Sequence, residues 1–254
     1  MIRMLVSVRD VPEALLAARG GADFIDLKEP REGALGDLDL ATIAAIVRAL
    51  RARENQLQRL PRNLPISATI GDLPMSDVDA ILGRVDAVAA CGVDYVKVGI
   101  ERVAHAASVL DALAGSGHAI VPVFIADRGL DFEAIAHACT LRFPALMVDT
   151  ADKRSGSLFD VLSDAELRRF VAAARACGAL VGLAGALRHR QLAALRALRP
   201  DFAGFRSAVC AGDRSGALDP ERLSALAAAL RFTRPAGAAR QAAANACAPA
   251  RSCS

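Results

Sequence analysis

Of the 31 lysines and arginines in the chain, only Lys28, Lys97 and Lys153 are lysines. A protein that uses arginine wherever a generic surface cation will do has kept its amines for another purpose. What an amine offers and a guanidinium does not is the loss of a proton at usable pH, after which it can act as a nucleophile or a general base. Burial and neighbouring cations favour that neutral form. Two aspartates stand beside these lysines. In Asp26-Leu27-Lys28 the two-residue period of a strand sends the carboxylate and the amine to one side, with Leu27 on the other. Downstream, Met147-Val148-Asp149 runs into Thr150-Ala151-Asp152-Lys153. Carboxylates buried with the amines would be held ionised by them.

The elements that must carry these residues follow a repeating pattern of a short apolar strand, a polar or glycine-containing loop and an Ala-, Leu- and Arg-rich helix. Strands are predicted at 2–7, 23–28, 65–70, 93–98, 119–125, 144–149, 179–184 and 202–206. Helices are predicted near 11–20, 39–54, 76–91, 102–115, 131–142, 163–177, 188–199 and 219–231. Asp10-Val11-Pro12-Glu13, Ser76-Asp77, Ser163-Asp164-Ala165-Glu166 and Asp219-Pro220-Glu221 supply side-chain oxygens, prolines or acids where helices begin. Gly20-Gly21, Cys91-Gly92 and Cys177-Gly178 end helices just before strands. Eight such units specify an α/β fold, a single (β/α)8 TIM barrel over residues 1–232, followed by a tail at 233–254 without amphipathic period that is expected to be disordered. The rival, a doubly wound open sheet, lacks its glycine signature: Ser7-Val8-Arg9-Asp10 follows the first strand. Residues 51–64 form a polar extension between the second helix and the third strand.

On this frame Lys28 ends strand 2, Lys97 ends strand 4 and Lys153 follows strand 6, so all three are expected at the C-terminal mouth, where barrel enzymes place their chemistry. Gly182-Leu183-Ala184-Gly185-Ala186 and Gly204-Phe205-Arg206-Ser207-Ala208 end strands 7 and 8. Small residues there let backbone N–H groups reach a phosphate, although such glycines serve barrel packing as often. Gly185, Ala186, Gly204 and Ser207 are the candidates, with Arg206 as a guanidinium matched to phosphate oxygens.

Other chemistries are excluded. His105, His137 and His189 fall in predicted helices and His118 precedes strand 5 on the opposite face, which leaves no histidine for a Ser/His/Asp triad or a zinc site. The six cysteines lack CxxC spacing, and Cys91, Cys139 and Cys177 read as small buried hydrophobes. A net charge of +3 spread along the chain, no Trp and one Tyr argue against nucleic acid. No apolar run reaches the roughly 18 residues of a membrane span, and the N-terminal run is too short for a signal peptide, so the expected location is the cytoplasm.

With these residues in view, the sequence resembles the (5-formylfuran-3-yl)methyl phosphate synthase family of methanofuran biosynthesis, found in methanogenic archaea and in bacteria with similar one-carbon cofactors. The resemblance runs to about residue 230. It is carried by the segment from Gly20 through Asp26-Leu27-Lys28-Glu29-Pro30 to Gly36, by Ser67-Ala68-Thr69-Ile70-Gly71-Asp72 and by Tyr95-Val96-Lys97-Val98-Gly99. Asp149-Thr150-Ala151 with Lys153, Leu183-Ala184-Gly185 and the stretch from Gly204 to Asp213-Arg214 continue it in order. It implies a carbon–oxygen lyase that joins two molecules of glyceraldehyde 3-phosphate into a furan aldehyde phosphate, releasing phosphate and water. Lys28 is then the Schiff-base lysine, with Asp26, Lys97, Asp149 and Lys153 as catalytic companions, no cofactor, and a homo-oligomeric assembly. The chain departs from the archaeal pattern in the 51–64 extension, the C-terminal tail and substitutions around Ser207. Two alternatives remain at this stage: another Schiff-base aldolase acting on a sugar phosphate, and a non-catalytic barrel that binds a phosphorylated metabolite.

Overall fold

The computed structural model describes residues 1–32, 35–52, 64–152 and 156–231. Its strands are β1 (Arg3–Val8), β2 (Phe24–Leu27), β3 (Ile66–Thr69), β4 (Tyr95–Ile100), β5 (Ile120–Ile125), β6 (Ala145–Asp149), β7 (Leu180–Leu183) and β8 (Phe202–Phe205). Each pairs in parallel with the next, and β1 closes on β8 through Met4 opposite Ala203 and Val6 opposite Phe205. The expected single (β/α)8 barrel is therefore the fold. The helices are α1 (Val11–Arg19), α2 (Leu40–Arg51), α3 (Val78–Ala89), α4 (Ala106–Gly115), α5 (Phe132–Thr140), α6 (Leu158–Val161), α7 (Asp164–Ala176), α8 (Leu192–Leu198) and α9 (Pro220–Arg231).

The helix starts follow from capping. The Asp10 carboxylate accepts from the Glu13 amide at 2.8 Å, and Ser163 and Glu166 form a reciprocal capping box ahead of α7. At the other ends Gly92 and Gly178 take φ of 85° and 80°, a left-handed turn into the next strand that costs glycine no side-chain clash. The short helix α6 has no counterpart in the sequence reading. It is a single turn capped by Ser157 and Asp160, and its Leu158 amide donates to the Gly185 carbonyl at 2.9 Å, which ties it to the end of β7.

Strand alternation divides the apolar residues into two bodies. Met4, Val6, Ile25, Leu27, Leu146, Val148, Val181 and Leu183 face outward and pack beneath the helices. Leu5, Val121, Val123, Ala145, Met147, Ala184 and Phe202 face the barrel interior, where Leu35 joins them from the loop after β2. That phase decides the site: inward Met147 puts Asp149 inward two residues later, and outward Ile25 and Leu27 leave Asp26 pointing in.

Cys91, Cys139 and Cys177 are half-buried rather than buried, each with one side against the core and a thiol donating to a helix carbonyl. The helical reading of 188–199 holds from Leu192, after a 3-10 turn over His189–Gln191. No helix among the described residues is long and apolar enough to cross a membrane. Most of the 51–64 extension and the whole 233–254 tail lie outside the described residues.

The interior tolerates little added volume. A β-carbon on Gly182 would come within 2.3 Å of the Phe202 ring and 3.0 Å of Met147. Gly182→Ala should therefore cost about 1–3 kcal/mol by overpacking, read as a lowered midpoint in thermal unfolding; an unchanged midpoint would show the interior to be looser than this.

Candidate active site

Asp26 sits at the centre of the barrel with no exposed surface. Its neighbours across the sheet are Ser7 on β1 and Ser67 on β3, paired with it in register. One carboxylate oxygen, Oδ1, accepts from Ser67 Oγ at 2.7 Å and Lys97 Nζ at 3.0 Å. The other accepts from Ser7 Oγ at 3.3 Å and lies 3.8 Å from Lys28 Nζ. Lys28 Nζ is in turn 3.6 Å from Asp149 Oδ2, and Asp149 Oδ1 accepts from the Thr150 amide at 2.8 Å. The result is an alternating chain of charge, Lys97, Asp26, Lys28, Asp149, in which Lys97 is 2% exposed and Asp149 1%.

Such charges survive burial only by pairing. Burial by itself would raise the Asp26 carboxyl, but the Lys97 and Lys28 ammonium groups, with hydrogen bonds from Ser67 and Lys97, outweigh it and hold the group below the usual carboxylate range. For Lys97 the balance falls the other way. Burial, helped by the like charge of Lys28, pushes its ammonium below the ordinary lysine value against the pull of Asp26 and Asp149. The carboxylate between the two amines stays ionised, and burial favours the neutral form of Lys97.

The two amines open onto different spaces. Lys28, Asp26 and Asp149 face a cleft of about 400 Å³ at the C-terminal mouth, bordered by Gly185, Ala186, Gly204, Ser207 and Arg214. Lys97 and Ser67 border a separate, small apolar pocket at the N-terminal end, walled by Phe24, Tyr95 and Phe202. The sequence reading placed Lys97 at the end of its strand. It stands instead in the middle of β4, opposite Thr69 and Val121, because the strand continues through Gly99 to Ile100. Gly99 permits that continuation: a β-carbon there would lie 2.4 Å from the inserted Leu35. A ligand entering the mouth thus meets Lys28 first, with Lys97 behind Asp26.

The expected phosphate residues divide. Gly185 and Ala186 turn through φ of 115° and 46° at the rim, and left-handed backbone at a non-glycine residue is a strain that active sites retain. Among the described residues no acceptor receives the backbone N–H of Gly185, Ala186 or Ser207. Gly204 is a packing glycine, since its β-carbon would meet Ala184 at 3.0 Å and Met147 at 3.4 Å. Arg206 is buried, and protein acceptors take all its donors: Glu13 in a two-pronged pair at 2.5 and 3.0 Å, and the carbonyls of Ser7, Arg214 and Gly216. It binds the protein, not an open phosphate site. Lys153 lies outside the described residues.

Sequence reasoning missed Ser7 and Ser67, although their inward phase, two residues beyond Leu5 and level with Asp26, was there to be read. Glu13 read only as a helix-start acid, and Arg214, at the end of the stretch that carries the resemblance, was not singled out as a site residue. The histidines stay clear of the mouth, with His118 and His137 paired to Asp86 and Asp111 on the helical exterior. No metal-ligating cluster occurs among the described residues.

A family model described as 4-HFC-P synthase matches residues 4–227. This chain belongs to that family. The (5-formylfuran-3-yl)methyl phosphate synthase of Methanopyrus kandleri is 36% identical over 247 residues, covering 90% of this chain and 98% of its own. The enzyme of that name from Archaeoglobus fulgidus is 35% identical over 235 residues, covering 87% and 95%. Among solved structures, phosphoribosyl anthranilate isomerase from Thermus thermophilus superposes with a TM-score of 0.60 at 18% identity over 90% of this chain and 98% of that one. The 3-hexulose-6-phosphate synthase of Salmonella typhimurium gives 0.54 at 18% identity, covering 91% and 100%. These two likenesses speak to the barrel alone. In this member of the 4-HFC-P synthase family Lys97, Asp26, Lys28 and Asp149 form one connected cluster.

Removing the central charge tests that connection. Asp26→Asn leaves Lys97 buried beside an amide and should destabilise the fold by about 3–5 kcal/mol. The sign with pH is fixed by the two shifts. Asp26 is depressed in the folded protein, so its contribution is present above the ordinary value of 3.8 and is lost as pH falls through and below it. Lys97 is also depressed, so its buried ammonium is a penalty that rising pH relieves before 10.5. Thermal unfolding across pH should show the gap between wild type and Asp26→Asn closing in acid; a constant gap would mean the carboxylate's charge is not what stabilises the site.

Proposed function

We propose that this chain is a (5-formylfuran-3-yl)methyl phosphate synthase that condenses two molecules of glyceraldehyde 3-phosphate through an imine on Lys28. The observation that carries the reading is the position of that amine, which faces the mouth cleft between two buried carboxylates with a second amine behind one of them. An imine-forming lysine needs a neutral amine to attack, an acid to release water from the carbinolamine and a base to take the adjacent C–H proton. The Lys97, Asp26, Lys28, Asp149 chain holds donors and acceptors for each.

In this reading one triose phosphate isomerises to its ketone and Lys28 attacks the carbonyl carbon with loss of water. The protonated imine then withdraws electrons so that the neighbouring carbon can give up its proton and attack the aldehyde of the second triose. Asp149 and Asp26 exchange protons with the intermediates, Lys97 resupplies Asp26 from behind, and Lys153, four residues beyond Asp149 in sequence, is the further companion that the resemblance implies. The rim amides of Gly185, Ala186 and Ser207 receive phosphate oxygens. Water hydrolyses the imine to free Lys28, and one phosphate leaves by elimination as the ring closes and dehydrates, which classes the reaction as a carbon–oxygen lyase. The site works from side chains and backbone, and the proposal needs neither a metal nor an organic cofactor.

Incubation of the purified protein with glyceraldehyde 3-phosphate alone tests this directly. Inorganic phosphate and a near-ultraviolet furan band should rise together, and Lys28→Arg, which keeps the charge but cannot form an imine, should lower both by roughly 10³-fold or more. An aldol product without the furan band, with no phosphate released, would point instead to a Schiff-base aldolase. Binding without turnover, unaffected by Lys28→Arg, would make the barrel a metabolite-binding protein.

A further inference from the structure

The buried pair of Glu13 and Arg206 does more than join α1 to the end of β8. Arg206 Nε donates to the carbonyl of Arg214 at 2.9 Å and its Nη2 to that of Gly216 at 2.7 Å. Between these, the Ser215 carbonyl accepts from Arg9 Nη1 at 2.8 Å. Arg9 Nε in turn lies 3.3 Å from Glu13 Oε1, and the Arg9 amide donates to Glu13 Oε2 at 3.2 Å. Three consecutive carbonyls of one loop are therefore gripped by two arginines, and both arginines are anchored on one carboxylate. The base of that loop is closed by the Ala211 amide on the Ala217 carbonyl at 2.9 Å and by the bridge between Cys210 and Leu218. Its one side chain at the mouth cleft is Arg214, which borders the same space as Lys28, Asp149 and the rim of β7.

We propose that Arg214 contributes the guanidinium that receives a substrate phosphate, and that Glu13 is a positioning residue which, through Arg206 and Arg9, holds the Arg214 loop over the mouth. The inference rests on the reading of that mouth as a triose phosphate site. Burying an arginine and a glutamate together brings little net stability to a fold, because desolvation offsets their attraction. The pair is accounted for by what its spare donors do, which is to fix the Arg214 and Gly216 carbonyls on either side of the Ser215 carbonyl that Arg9 holds. A planar guanidinium suits phosphate oxygens, and fixing its backbone in advance lowers the ordering cost of binding. Arg206, which the sequence favoured for phosphate, acts one step further back.

Inorganic phosphate is the probe, titrated calorimetrically into wild type, Arg214→Gln, Glu13→Gln and the double variant. A lost charge-assisted hydrogen bond corresponds to an affinity loss of about 10- to 100-fold, and that loss is expected in each single variant. The double variant should bind no more weakly than Arg214→Gln, since Glu13 acts through Arg214. With glyceraldehyde 3-phosphate, Glu13→Gln should raise KM while kcat holds within a few-fold. A folded Glu13→Gln with wild-type phosphate affinity, additive losses in the double variant, or no phosphate binding by wild type overturns the proposal. Should Glu13→Gln fail to fold, Arg214→Gln and Arg9→Gln decide it: weakened phosphate binding in both supports the proposal, and unchanged affinity in either overturns it. Phosphate binding that follows this pattern in a protein that makes no furan would leave the inference standing and remove the synthase reading. Furan synthesis with phosphate affinity indifferent to these variants would do the reverse.

Discussion

Asp26 has no contact with solvent, and a carboxylate in that position is tolerable only if its charge is answered on every side. Two serine hydroxyls and two lysine amines answer it, and each comes from a different strand or strand end around it. This one constraint accounts for much of the interior. The strands on either side of β2 carry hydroxyls in register with Asp26, Lys97 must reach it from the middle of β4, and Lys28 must bend back from the strand end toward it while also meeting Asp149. The same arrangement that makes the carboxylate affordable separates the amines chemically, leaving Lys28 at the mouth and Lys97 sealed behind.

The rest of the barrel keeps that chain in place and open at one end. Inward-facing apolar residues fill the lower interior, while Gly182, Gly99 and Gly204 make room for Phe202, Leu35 and Ala184. At the rim, α6 fastens the end of β7, and the Glu13 network fastens the loop beyond β8. Rigid strands carry the buried charges, and two secured loops frame the cleft above them.

The fold was largely legible because its signals are local and periodic. Each strand lies within about two residues of its expected place, and the start of α7 at Ser163 and Glu166 is the capping pattern read from sequence. The site was legible where alternation carried it, as for Asp26, Lys28 and Asp149. What failed depended on contacts between distant segments. Strand 4 was expected to stop at residue 98, two short of its end at Ile100, which placed Lys97 too near the mouth; the fit of Leu35 against Gly99 joins segments far apart in sequence. Arg206 reads as a phosphate ligand until Glu13, 193 residues away, is found to occupy it. A single-turn helix such as α6 has too few residues to show a period.

The central claim is that Lys28, rather than the other amines, is the group that bonds to substrate. Borohydride reduction during incubation with glyceraldehyde 3-phosphate, followed by peptide mass mapping, measures this most directly. A reduced triose adduct on the peptide containing Lys28, dependent on both substrate and borohydride, is the expected result. An adduct found only on the peptides of Lys97 or Lys153, or furan formation that borohydride neither traps nor inhibits, would contradict the account.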